Sequence, residues 1–224
     1  MAGVERFSTW ARENSRVLIT TAVVLTLLVA GAIYYNSVKR GVESEAAIRF
    51  SNLQGTLASG NTQLAIRDLQ EFLAGFGDTR TGEQARLVLA ELLLSEDRPQ
   101  EALETLQELD TNPARPQGLA AAQLIAAAYE AAGETGQAVD TYLEIADRAR
   151  FDFERREALA DAARVTLQGG DPGAAAALYE DVLDTFEEGE QGRGYYEMWL
   201  AEARARAGEG PADLGNGADA PQQN

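Results

Sequence analysis

The 224-residue sequence contains no cysteine, no histidine and a single lysine, Lys39. The missing cysteine removes disulfides, thiolate nucleophiles and any lipid anchor carried on sulfur. The missing histidine removes the imidazole general base and, with cysteine also gone, the usual protein ligands of zinc and of c-type haem. Basic residues are scarce too: 19 Lys and Arg stand against 36 Asp and Glu, a formal charge of −17. A nucleic-acid interface must gather cations against phosphate, so this balance argues against one.

What charge there is lies unevenly. Met1 to Arg40 carries five basic and two acidic groups, or +3, whereas the remainder carries 14 basic and 34 acidic groups, or −20. Within the basic head, Val17 to Tyr35 reads VLITTAVVLTLLVAGAIYY, 19 residues without a charge. As a helix rising about 1.5 Å per residue it measures roughly 28 Å, the thickness of a bilayer's hydrocarbon core. Arg12 and Arg16 precede it, Lys39 and Arg40 follow it, and Trp10, Tyr34 and Tyr35 fall where interfacial aromatics are favoured. A transmembrane helix at 17–35 is therefore expected, with a lipid bilayer as its surroundings. Ala30-Gly31-Ala32 has the small-x-small form of a signal-peptidase site, but the long leading segment and the apolar run continuing through Tyr35 favour an uncleaved anchor. The flanking basic residues are nearly balanced, so charge leaves the orientation open.

Beyond Gly41 nothing reads as a strand. Alanine and leucine recur at three- and four-residue spacing between short Gly, Pro and Asp breaks, the pattern of many short amphipathic helices. The pattern repeats. Ala65, Ala102, Ala138 and Ala175 are separated by 37, 36 and 37 residues. Each is followed at i+4 by a large residue (Leu69, Leu106, Tyr142, Tyr179) and at i+7 by an apolar one (Phe72, Leu109, Ile145, Val182). Twelve residues before the last three stand Ala90, Ala126 and Ala163. Small residues on both helices of a pair let the backbones approach, and the large ones fill the groove beside them. Asp171 before Pro172 reads as a helix N-cap, and Thr81 with Gln84 as a capping box.

These alanine positions resemble the tetratricopeptide repeat, with Leu93 and Tyr129 at its large first-helix position and Leu53 where the first copy lacks the small residue. The expected fold is all-α: a transmembrane helix, a linker at 36–42, and a tetratricopeptide-like solenoid of four helix pairs with a capping helix over 43–207. The remaining segment, 208–224, is rich in Gly, Pro, Asp, Asn and Gln and reads as a disordered tail.

No catalytic site is legible. The acid pairs Glu187–Glu188, Glu180–Asp181 and Asp152–Glu154 read as solvated turns and helix faces. Gly192-x-Gly194 lacks the strand-before, helix-after setting of a phosphate loop, and no calcium-loop pattern occurs. The expectation is a protein that binds other proteins without cofactor, metal or small-molecule substrate. In the repeat register the first helices present Gln84, Leu87, Glu91, Gln123, Ala127, Glu130, Glu157, Ala160 and Arg164 on the concave face. Tetratricopeptide clamps for terminal carboxylates use Lys, Arg and Asn there. This face is neutral or acidic, with Arg164 reading as isolated, so basic or apolar partner segments are favoured.

The order of parts adds a second resemblance. Arg6-Phe7 to Glu13-Asn14 leads into the apolar span, which closes with Tyr34-Tyr35-Asn36-Ser37, and Val42-Glu43-Ser44-Glu45-Ala46-Ala47 opens the array. This looks like the bacterial ancillary subunit of the Sec translocon, a family of single-pass inner-membrane proteins with a periplasmic tetratricopeptide-like domain. The resemblance implies a cytoplasmic head at 1–16, a periplasmic C-terminal domain, and translocon subunits, periplasmic chaperones or exported clients as partners. A scaffold for an envelope or cell-division complex and a carboxylate-dependent hydrolase are the alternatives.

Overall fold

Helix starts and stops along the chain are set by local chemistry that recurs with the repeat. The computed structural model describes residues 15–58, 60–187 and 190–208, excepting the side chains of 15–19, 21 and 22. The head and the tail expected from the sequence therefore lie almost wholly outside the described residues. Among the described residues the chain is all-α: α1 (Ser15–Ala58), α2 (Thr62–Phe76), α3 (Arg80–Ser95), α4 (Pro99–Leu106), α5 (Pro116–Ala131), α6 (Thr135–Arg148), α7 (Asp152–Gln168), α8 (Pro172–Asp184) and α9 (Arg193–Ala207).

Consecutive helices pack on each other throughout, and α3 also touches α1 and α5. The end of α1 pairs with α2, α3 with α4, α5 with α6 and α7 with α8, while α9 closes the stack against α8. The seven alanines of the repeat pattern are the seam of these pairs: each is at most 3 % exposed. Of the large residues at i+4 and i+7, all but Leu109 are buried. The exception has a local cause. Helix α4 stops at Leu106, because the Asp110 carboxylate accepts from the Asn112 N–H and the Asn112 side chain from the Ala114 N–H. Such Asx turns offer the backbone a competing set of bonds just before Pro113.

The turn inside each pair has its own period. Left-handed residues occur at Gly60, Asp97, Gly133 and Gly170, again 37, 36 and 37 apart. After the last three, the N–H groups of Arg98, Glu134 and Asp171 donate to Leu93, Tyr129 and Thr166 carbonyls at 2.9, 2.9 and 3.2 Å. These are Schellman closures, which satisfy carbonyls that a helix end would otherwise leave bare. Asp171 then caps α8 by accepting from the Ala174 N–H at 3.0 Å, as its position before Pro172 suggests.

The cap of α3 differs from expectation. Thr79, not Thr81, accepts from the Gly82 N–H at 2.9 Å, so the capping box read at Thr81 and Gln84 is corrected. Thr81 is buried for another reason: Glu43 of α1 takes its hydroxyl at 2.7 Å and its N–H at 3.0 Å, along with the Arg80 N–H at 3.0 Å. A carboxylate on the open end of a neighbouring helix is favoured by the free N–H groups and the helix dipole. Those bonds, led by the Thr81 hydroxyl, hold the Glu43 carboxyl below its ordinary pKa. Gly82 and Gly118, 36 residues apart, occupy the third position of α3 and α5. A Cβ on either would lie 2.2 Å from a carbonyl oxygen of the preceding segment, Phe76 or Asn112, so only glycine lets the chain enter these helices so closely.

Residues 36–42, read as a linker, are helical and join the apolar run to the array without a break. Ser44 and the Glu45–Arg49 ion pair, both bonded at i,i+4, continue the same helix beyond them. Among the described residues no helix is long and apolar enough to cross a membrane. The expected span at 17–35 lies partly outside them, since the side chains of 17–19, 21 and 22 are not described. The described remainder, Val23 to Tyr35, is exposed throughout.

Candidate protein-binding site

The residues expected on the concave face come from the first helices of successive pairs. Gln84 and Glu91 of α3, Gln123 of α5 and Glu157 of α7 are exposed, and Leu87, Ala127, Glu130, Ala160 and Arg164 are half-buried. Two are brought into direct contact. Arg164 grips Glu130 bidentately at 2.6 and 3.0 Å, and the same guanidinium donates to Asp161 at 3.1 and 3.3 Å. The isolation expected for Arg164 is thus corrected. One turn of α7 places Asp161 beside it, and the stagger of α5 against α7 carries Glu130 to its other side. Both carboxylates raise the arginine's pKa, with the Glu130 hydrogen bond the larger cause, so the charge is permanent but spoken for.

Beside Asp161 and Arg164 lies a cleft of ≈210 Å³. Glu157, Asp161 and Arg164 of α7 form one wall, with Ala160 between them. Tyr179 of α8, buried, adds to the lining, and Tyr195, Tyr196 and Trp199 of α9 complete it. The rings are organised: Tyr195 meets Tyr196 edge-on at 5.2 Å and Trp199 edge-on at 6.1 Å. Gln84, Glu91, Gln123, Ala127 and Glu130 do not line this cleft. Leu87 instead borders a smaller hollow of ≈50 Å³ against Leu109 and Gly118.

Helix α9 is set in place by arginines. Arg156 lies 3.6 Å over the Phe186 ring, donates to the Thr185 hydroxyl and carbonyl at 3.0 and 3.1 Å, and pairs with Glu190 at 2.9 Å. Arg193 donates to the Leu183 carbonyl at 2.9 Å, and Arg204 pairs with Glu180 at 2.6 Å. A stacked, several-fold hydrogen-bonded guanidinium fixes a corner in a way that a lysine could not. The aromatic wall of the cleft therefore rests on a braced helix.

Electrostatically the cleft is acidic. Glu157 and Asp161 line it with Arg164, and Glu130 reaches the same guanidinium from outside the lining. Burial pushes the Tyr142 phenol up to about 12, helped by the charges of Asp161 and Glu130. Tyr179 and Tyr196 shift upward too, again chiefly by burial. These hydroxyls stay neutral at physiological pH and offer hydrogen bonds, not nucleophiles. Among the described residues the displaced carboxyls move downward: Glu43 through Thr81, Glu101 through Arg98, Asp110 through the Asn112 N–H and Glu190 through Arg156. A general acid needs a shift in the other direction.

The repeat register names Glu157, Ala160 and Arg164, which line this cleft, and places Tyr179 as a large repeat position, but Asp161 and the three rings of α9 are not among the expected site residues. Asp161 sits one step from Ala160 and could be read from the helical period. The rings could not, because α9 was read only as a cap, and its tyrosines carry no repeat signature.

The family model described as tetratricopeptide repeat-like domain matches residues 8–203. Among solved structures, an array of nearly identical TPR-like repeats of a putative kinesin light chain from Podosopora anserina is similar with a TM-score of 0.59 and 21% identity, covering 75% of this chain and 89% of that one. A single-substitution variant of that array gives a TM-score of 0.58 at the same 21% identity, covering 75% and 88%. At that identity the likeness concerns the fold alone. No curated protein matches the chain.

Proposed function

Because the chain belongs to the tetratricopeptide repeat-like domain family, we propose that it is a membrane-tethered module that captures protein segments on its array and has no catalytic role of its own. The fold supports the capture of protein segments, since stacked helix pairs create extended binding surfaces. The observation that carries the tether is the exposed apolar run of α1: Leu27, Leu28 and Ile33, which point in different directions around the helix, are 64–66 % exposed in a run without a charge. A patch of that kind calls for lipid or a partner. The family match supports treating run and array as one architecture, because it begins at residue 8 and takes in both.

The finer reading places the array on the periplasmic side of an inner membrane, beside the Sec translocon, assisting exported proteins or their chaperones. It rests on the resemblance in the order of parts, from the basic aromatic head through the apolar run to Glu43-Ser44-Glu45. The acidic body suits it, because a −20 surface is repelled by anionic lipid and stands off the bilayer. Affinity capture of the full chain from solubilised membranes tests this directly. Translocon subunits or periplasmic chaperones are the expected partners, and their absence from the captured material sinks the role. Orientation has a separate readout: a reporter fused after Ala207 is expected to be active only outside the cytoplasm, and cytoplasmic activity reverses the topology.

A further inference from the structure

We propose that the cleft between α7 and α9 takes an extended peptide segment that presents an arginine or lysine next to an aliphatic or aromatic residue. The inference rests on the interaction-module reading and gives that module a ligand class. The cleft combines two features that together select such a segment. Its α9 wall is aromatic, and Tyr195 is 57% exposed although its ring is held edge-on by Tyr196 and Trp199. Its α7 wall is acidic, and Glu157 is exposed there without a hydrogen bond or ion pair among the described residues.

Among the described residues no cation pairs with Glu157. Arg164, the cation in the cleft, is taken by Glu130 and Asp161, and Arg156 is turned toward Thr185 and Glu190 at the corner. An incoming guanidinium or ammonium can therefore pair with Glu157 while lying against the Tyr195 or Trp199 face. Cation–π and carboxylate contacts of this kind reinforce each other where water is partly excluded. The apolar neighbour fits the ring surface left beside it. A peptide bearing a free carboxylate or an acidic side chain meets the carboxylates of Glu157 and Asp161 instead, and like-charge contact excludes it.

The test uses the full chain in detergent, titrated calorimetrically with a capped ten-residue peptide carrying Arg between two Leu, and with its Glu-for-Arg counterpart. The arginine peptide is expected to bind at least about tenfold more tightly than the glutamate peptide. Glu157→Gln should weaken it about three- to tenfold and Tyr195→Ala by a similar factor, with an unchanged thermal melt showing that the array still folds. Raising salt should weaken the arginine peptide only. Equal affinity for the two peptides, or no binding of either, overturns the proposal. So does arginine-peptide binding that survives both variants. If that surviving binding is lost on Gln123→Arg in α5, the interaction module stands and only its ligand site has been misplaced. If, separately, photocrosslinkers at Gln123 and Tyr195 in intact cells both capture no protein, the module reading itself falls.

Discussion

Helix α1 is one continuous helix with two unlike halves. From Glu43 onward it is an array helix: Ala46 is fully buried, Phe50 meets Phe72 with ring centroids 5.7 Å apart, and Glu43 seals the start of α3. From Val23 to Val42 the described side chains are all exposed although many are Val, Leu and Ile. The backbone hydrogen-bond ladder is the same in both. The difference is that the second half follows a period that the neighbouring helices can meet, whereas the first, as far as Tyr35, is apolar on every side. An all-round apolar helix asks for a surrounding apolar medium, and a striped one asks for a partner. Substitutions should therefore separate cleanly into those that move the chain between compartments and those that change how the array melts.

The largest expected effect breaks the outer half. Leu27→Arg with Leu28→Arg places two charges in the middle of the apolar run, each costing about 2.5–3.5 kcal/mol on a membrane-insertion scale. Alkaline extraction of membranes should move the double variant from pellet to supernatant, while the melting of the array stays within about 0.5 kcal/mol of the parent. A pellet fraction equal to the parent's would mean that the outer half is covered by protein, not lipid.

The converse variant breaks the array and spares the apolar run. Leu93→Ala removes a side chain that is 1% exposed, at the heart of the second pair, and should cost about 2–5 kcal/mol with membrane association intact. Gly118→Ala should cost about 1–3 kcal/mol despite alanine's better helix propensity, because the added Cβ would sit 2.2 Å from the Asn112 carbonyl oxygen. Both are read from chemical denaturation of the chain in detergent.

Between these extremes lies the join. Glu43, the first residue of the array half, ties α1 to the start of α3, so Glu43→Gln should cost about 1 kcal/mol at neutral pH. The folded carboxyl titrates below its ordinary value of 4.5. Its contribution is therefore complete above that value and is lost as pH falls through the lower, folded one. Denaturation midpoints of parent and variant should accordingly differ at pH 7 and converge toward pH 3. A difference that stays constant across this range would remove Glu43 as the titrating link.

The two halves were also unequally legible. The array could be read because packing imposes a period: a small residue is needed wherever two helix backbones touch, so Ala90 and Ala102, Ala126 and Ala138, and Ala163 and Ala175 recur in step. Features set by a contact from a distant element could not be read. Thr81 looks like a cap in its local sequence, yet Glu43, 38 residues away, determines what it does. The cleft was half legible for the same reason. Glu157 and Arg164 follow the helical register, whereas Tyr195 and Trp199 enter only through the way Arg156 and Arg193 fold α9 back.

The smallest expected effect sharpens the array side of the comparison. Three of the four left-handed turn positions are glycine, and the fourth is Asp97 at φ 57. A β-carbon in this region strains the backbone by about 1 kcal/mol, though aspartate tolerates it better than most. Its charge also lies just beyond the C-terminus of α3, where the helix dipole disfavours an anion. Asp97→Gly relieves both but gives the unfolded chain more freedom, which takes back part of the gain. The net rise should be about 0.5 kcal/mol, or roughly 1–2 °C in Tm, with membrane association unchanged. Gly133→Ala and Gly170→Ala, made at the equivalent turns, should each lower Tm by a comparable or larger amount. If Asp97→Gly lowers Tm instead, the carboxylate must contribute more in that turn than left-handed strain costs, and the four turns would no longer be equivalent parts of one repeat.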